Sequence, residues 1–137
     1  MPDGLTAADR LEIAELFARW AVCEDAGLSE SWADLFTETG SSVSGKGIRR
    51  TGREALADAS RRRWQRPESK HLSHWMADPT IRVTDGAVYA EHYAMVLEDT
   101  SDGPQVMSTT VRSYELLREN GRWKVQERTI RSIPEES

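Results

Sequence analysis

Apolar residues recur every three to four positions near the start of the chain and about every second position in its latter half. Thr6 and Asp9 form a capping-box pattern, and the spacing predicts a helix from there to about Ala26. At about 100° per residue, Ile13, Leu16, Phe17, Trp20 and Ala21 share one face, with Glu12, Glu15 and Arg19 opposite. Gly27 is a helix stop. Ser29 is placed to cap a short second helix through Trp32, Leu35 and Phe36. Residues 39–50 read as two short strands turning around Gly45 to Gly47. Thr51-Gly52-Arg53-Glu54 reads as a capping box for a third helix over 53–65, ended by Pro67. Strands are predicted over 70–84, 87–98, 105–118 and 122–132, with turns at Asp85-Gly86, Asp102-Gly103-Pro104 and Asn120-Gly121. Helices followed by meandering strands predict one α+β domain over 1–137, with residues 1–5 and 133–137 loose.

Composition narrows the function. Hydrophobic residues make up 38% and charged residues 30%, a soluble globular balance. A net charge of −5 argues against a nucleic-acid partner. No apolar run approaches the roughly 20 residues of a membrane span. The N-terminus lacks a basic start and an apolar stretch, so no signal peptide is read there. Cys23 is the one cysteine, which leaves no disulfide framework within the chain. These features predict a cytoplasmic protein with a small-molecule partner, away from nucleic acid and membrane.

Strand parity sorts the histidines. Residues two apart share a face, so Leu72, His74 and Met76 point one way and His71, Ser73 and Trp75 the other. His71 and His74 therefore cannot share a metal, and no metal site is expected. Ala90 and Ala94 flank His92 on its face, which suggests space above the sheet; a packed core histidine fits equally. Asp25 sits in the last turn of the first helix, where the dipole disfavours an anion. It is either a solvated acid or a partner for a base. The run Arg61-Arg62-Arg63 could bind an anion, though such runs are more often a solvated helix face. A histidine hydrogen-bonded to a carboxylate in an apolar site is a general base that can move a proton beside a carbonyl, without a cofactor.

The order of motifs resembles the SnoaL-like branch of the nuclear transport factor 2-like superfamily, which includes scytalone dehydratase and bile acid 7α-dehydratase. The matching stretches are Trp20-Ala21-Val22-Cys23-Glu24-Asp25, Trp32-Ala33-Asp34-Leu35-Phe36 and Thr51-Gly52-Arg53-Glu54-Ala55, then residues 73–81, Asn120 to Val125, and Arg128. The resemblance implies a cone-shaped α+β barrel, its N-terminal helices packed in a strongly curved mixed or antiparallel sheet. It implies His74 as catalytic base and Asp25 as its orienting partner. Arg128 would line the pocket, with Arg112 a weaker candidate; Trp20, Phe36 and Met76 would shape it, and His92 would assist. Relatives often carry Tyr or Lys where this chain has Trp20, and indole cannot give a proton to a leaving hydroxyl.

These readings predict a cofactor-independent lyase or isomerase of the dehydratase type acting on a small cyclic or polyketide-like carbonyl substrate. The alternatives are a non-catalytic ligand-binding or dimerising module of the same fold, and an epoxide hydrolase or cyclase. The last would want a second pocket acid, and Asp25 has no evident acidic companion on an inward strand position. A Trp20, Trp75 or Met76 side chain filling the pocket would favour the scaffold. A homodimer through the outer sheet face is expected, with Tyr114, Leu116 and Trp123 as contributors.

Overall fold

The computed structural model describes residues 4–133. The expected looseness of 1–3 and 134–137 lies outside them. Leu5, also expected to be loose, packs against the core, and Ile133 is held by Thr109, donating its N–H to the Thr109 carbonyl and accepting from Thr109 Oγ1.

Helix α1 (Ala7–Ala26) starts at the capping box: the Asp9 N–H donates to Thr6 Oγ1 at 3.0 Å, and the Thr6 N–H donates to Asp9 Oδ2 at 2.8 Å. Asp9 also accepts from Arg118 and from the Trp123 indole, which ties the helix start to the far end of the chain. The helix stops at Gly27, whose φ of 67° is left-handed. A side chain there would also collide with the Trp64 ring, since a Cβ would lie 2.3 Å from it.

Helix α2 (Ser29–Ala33) is followed by strands β1 (Phe36–Val43) and β2 (Arg49–Thr51), then helix α3 (Arg53–Trp64). Two expectations fail here. Ser29 does not cap α2, because Leu28 occupies that position; Ser29 faces inward and accepts from Ser60 instead. The third-helix capping box does not form, because Gly52 is the N-cap and has no side chain to offer. Arg53 instead reaches back to the Phe36 carbonyl.

The predicted strand over 70–84 is three pieces: a 3₁₀ turn at Pro67–His71, β3 (Leu72–Met76) and β4 (Thr80–Thr84). Both strands run antiparallel along one edge of β5 (Ala87–Thr100). Their registers differ by one residue, His74 facing Val96 and Thr80 facing Glu91. The interruption at Ala77-Asp78-Pro79 absorbs that residue, and Pro79 has no N–H to give to a ladder. Parity therefore switches, so His74 and Met76 face inward before the break and Ile81 and Val83 after it. The long strands β5, β6 (Gly103–Glu119) and β7 (Arg122–Ser132) follow as a meander. Asp85-Gly86 and Asn120-Gly121 turn with positive φ at both residues, as tight hairpins require.

The sheet order is β2-β1-β7-β6-β5-β3, with β4 also on β5. Every pairing is antiparallel except β1 with β7, so the sheet is mixed and open. The helices pack on its inner face around a core centred on Ile13, Leu16, Trp20, Phe36 and Val125. Tyr114, Leu116 and Trp123, expected on the outer face, are buried in this core. The register between β6 and β7 slips at Glu115/Leu116 with the extra residue, Gln126, in β7, so β7 faces inward at Trp123 and Val125 and then at Arg128. The outer face exposes Trp75 and Tyr93 instead.

Candidate active site

The last turn of α1 delivers two adjacent carboxylates to one imidazole on β3. His74 Nδ1 lies 2.7 Å from Asp25 Oδ1, and the His74 backbone N–H donates to the same carboxylate at 3.0 Å. That backbone bond fixes Asp25 as an acceptor, so the proton on this edge of the ring belongs to Nδ1. On the other edge, His74 Nε2 is 3.0 Å from Glu24 Oε2. The approach is oblique, and Oε2 has no aligned hydrogen-bond partner.

Glu24 is the residue that sequence reasoning missed: a second acid was considered only on inward strand positions, and it lies on α1 beside Asp25. Its carboxylate is 2% exposed. Oε1 accepts from the Trp20 indole at 2.9 Å and from Arg128 Nη1 at 3.3 Å; Arg112 Nη1 is 3.7 Å from Oε2. The signal was helical phase: Glu24 falls four residues after Trp20, on the apolar stripe, where a carboxylate has no stabilising role unless charges meet it. Burial raises its pKa, but Arg112 and His74 outweigh burial and hold it well below the usual carboxylate value.

A cavity of about 50 Å³ adjoins this pair, lined by Glu24, Asp25, Ser60, Arg63, Trp64, Ser69, Leu72 and His74. The other residues expected to line the pocket lie elsewhere. Trp20 and Phe36 are fully buried and packed against each other at 4.9 Å between ring centroids, and Arg128 stacks over Trp20 at 5.2 Å. No free indole face remains for a substrate. Arg128 donates to Ser42 and Glu24, behind the carboxylate; burial and neighbouring Arg112 bring it down to about 10, so it stays charged at neutral pH. Met76 packs against the core. The space expected beside His92 is filled by Phe17 and Tyr114, at 5.0 and 5.2 Å. His92 Nδ1 lies 3.1 Å from the Ala77 carbonyl and must donate to it, so Nε2 accepts from the Tyr114 hydroxyl at 2.8 Å. Burial and then Arg112 lower His92 to about 4, and burial raises Tyr114 to about 12. Both are neutral in the core.

The two histidines shape stability against pH in opposite senses. Burial lowers His74, but the hydrogen bond and charge of Glu24, with the bond from Asp25, outweigh it and leave the pKa above 6.5. Its contribution is complete below that value and is lost as pH rises through the folded pKa. His92, depressed to about 4, costs stability as pH falls from 6.5 toward 4. The urea midpoint is expected to peak near pH 6.5 and decline on both sides. His74→Gln should flatten the alkaline decline and keep the acid one. An unchanged alkaline limb in that variant would refute the ion cluster as drawn.

Among the described residues, no group of three or more His, Cys, Asp or Glu side chains is placed to hold a metal, and no helix is long and apolar enough to cross a membrane.

A long first helix wrapped by an open, bent mixed sheet, with ionised groups at the helix end, is the cone of nuclear transport factor 2-like proteins. The chain belongs to the SnoaL-like domain family, whose sequence model matches residues 5–129. A nuclear transport factor 2-like protein with a cystatin-like fold from Novosphingobium aromaticivorans superposes with a TM-score of 0.86 at 21% identity, over 95% of this chain and 85% of that one. ActVI-ORFA from Streptomyces coelicolor gives 0.84 at 15% identity, over 96% and 100%. A Catenulispora acidiphila protein in complex with S-DNPA gives 0.80 at 26% identity, over 93% and 96%. No curated protein matches the chain.

Proposed function

We propose that this protein is a cofactor-independent acid–base catalyst of the lyase or isomerase type, acting on a small carbonyl compound. The observation that carries the reading is the His74–Asp25 pair, 2.7 Å apart at the wall of a small cavity. Asp25 holds the proton on Nδ1, which leaves Nε2 as the base. Nε2 takes a proton from the carbon beside the carbonyl, and the electron pair moves into an enolate. The imidazolium then returns the proton elsewhere, for isomerisation, or gives it to a departing group, for elimination. Glu24 stabilises the imidazolium from its other edge and raises its pKa, so activity should increase as pH climbs through that pKa. The Catenulispora acidiphila protein in complex with S-DNPA supports a ligand-binding use of this fold.

A second reading has its own observation: Trp20, Trp32 and Phe36 fill the middle of the cone, as a non-catalytic scaffold would have it. Turnover of a panel of cyclic and polyketide-like ketones by wild type and by His74→Gln separates the two. Proton exchange or elimination lost in the variant supports the catalyst. Equal activity in both would sink the base assignment, and no turnover in wild type would favour the scaffold.

A further inference from the structure

The three arginines that close α3 have different surroundings. Arg61 donates to Glu30 Oε2 at 2.8 Å, and Arg62 lies 2.7 Å from Asp58 Oδ2 one turn back; both pairs face solvent. Arg63 turns inward. Its guanidinium stacks over Trp32 at 5.4 Å and lines the cavity beside His74. Its Nη2 is sealed from solvent and has no hydrogen-bond partner. Among the described residues no carboxylate pairs with it at ion-pair distance. Ser69 Oγ donates to the Arg63 carbonyl at 2.5 Å and so anchors the residue from below.

Glu24, Asp25, Ser60 and Ser69 line the same cavity, yet none of them accepts from Arg63 Nη2. Six buried side-chain polar atoms among the described residues have no aligned partner. Four of them are N–H donors: Arg63 Nη2, Arg112 Nε, Arg112 Nη1 and Trp32 Nε1. Glu24 Oε2 is the sole pure acceptor of the six. Charge leans the same way. Three guanidiniums, Arg63, Arg112 and Arg128, act on Glu24, and two of them, Arg112 and Arg128, lie within ion-pair distance of it, which leaves Arg63 without a carboxylate of its own. A buried cation without a partner is costly, and a guanidinium edge matches a carboxylate.

We infer that the cavity between Arg63 and His74 is a subsite for a carboxylate, and hence that the ligand is an organic acid. That the acid's reacting carbon lies next to His74 rests on the acid–base reading; the subsite does not. A volume of about 50 Å³ suits the carboxylate end of a ligand and excludes a bulkier anion. Trp64 and Leu72 also line the cavity and offer apolar contact to the remainder of the ligand.

The test uses acetate as the probe and acetamide as its uncharged counterpart, at constant ionic strength, read by the His74 ring resonances and by the thermal midpoint. Acetate should shift the resonances saturably and raise the midpoint, while acetamide should do neither. Arg63→Gln should weaken apparent acetate affinity at least about tenfold, whereas Arg62→Gln should leave it unchanged. Arg63→Lys keeps the charge without the fork and should fall between; it serves as the second variant if Arg63→Gln does not fold. No saturable acetate response in wild type, an equal response to acetamide, or undiminished affinity in Arg63→Gln or Arg63→Lys would overturn the proposal. Binding is read without turnover, so a failed activity panel leaves this result standing, and the reverse holds too.

Discussion

Glu24→Ala should lower the unfolding free energy by about 3–5 kcal/mol, read from urea denaturation near pH 6.5. The carboxylate is the shared counter-charge of Arg112, Arg128 and His74, all within 3.7 Å of it, and it also accepts the Trp20 indole. Its removal leaves two buried guanidiniums facing each other and an indole N–H without an acceptor. Glu24→Gln keeps an oxygen for Trp20 and Arg128 and should cost less than Ala. It should also lower the pKa of His74, because the hydrogen bond and charge of Glu24 are the main forces raising it. A loss below about 1 kcal/mol for Glu24→Ala would mean that the cluster is not a source of stability.

Asp25→Ala should have the largest effect on activity, a fall in kcat of about 10³–10⁴ with little change in KM. Asp25 fixes the proton on Nδ1 and holds the His74 backbone in place with the same carboxylate. Without it, the Nδ1–H tautomer loses its advantage. A proton on Nε2 would be drawn to Glu24, which removes Nε2 as the base. Asp25 is 31% exposed, so water can replace it and the stability loss should stay modest, unlike that of Glu24→Ala. A variant that turns over substrate within threefold of wild type would remove Asp25 from the mechanism.

Much of the fold was legible because its signals are local. The Thr6–Asp9 box, the Gly27 stop and the Asn120-Gly121 hairpin each depend on a few neighbouring residues, and each forms as read. The failures are of another kind. Pro79 sits inside an apolar alternation that looks continuous, and the one-residue slip is visible only in the pairing with β5. Glu24 reads as one more charge in a charged helix until its phase is set against Trp20. Even then its partners Arg112 and Arg128 come from strands far along the chain, the latter 104 positions away. Arg63 was inseparable from Arg61 and Arg62 by sequence, because only the turn onto Trp32 distinguishes it. Trp20 was expected to offer a stacking face; Phe36 and Tyr114, from strands at opposite ends of the chain, occupy it.

The parallel ladder between β1 and β7 determines when the site can exist. Phe36 pairs with Val125 and Ser42 with Arg128, so the first long strand, whose other neighbour is the three-residue β2, finds its long partner in the last strand. Arg128 reaches Glu24 and Ser42 from that strand. A chain emerging from the ribosome can form α1 and the β5–β6 hairpin early, but it holds Glu24 without one of its counter-ions until β7 docks. Assembly of the ionised centre is therefore a late, long-range event in folding, and a chain interrupted before residue 128 has the helices and most of the sheet in sequence but no completed site.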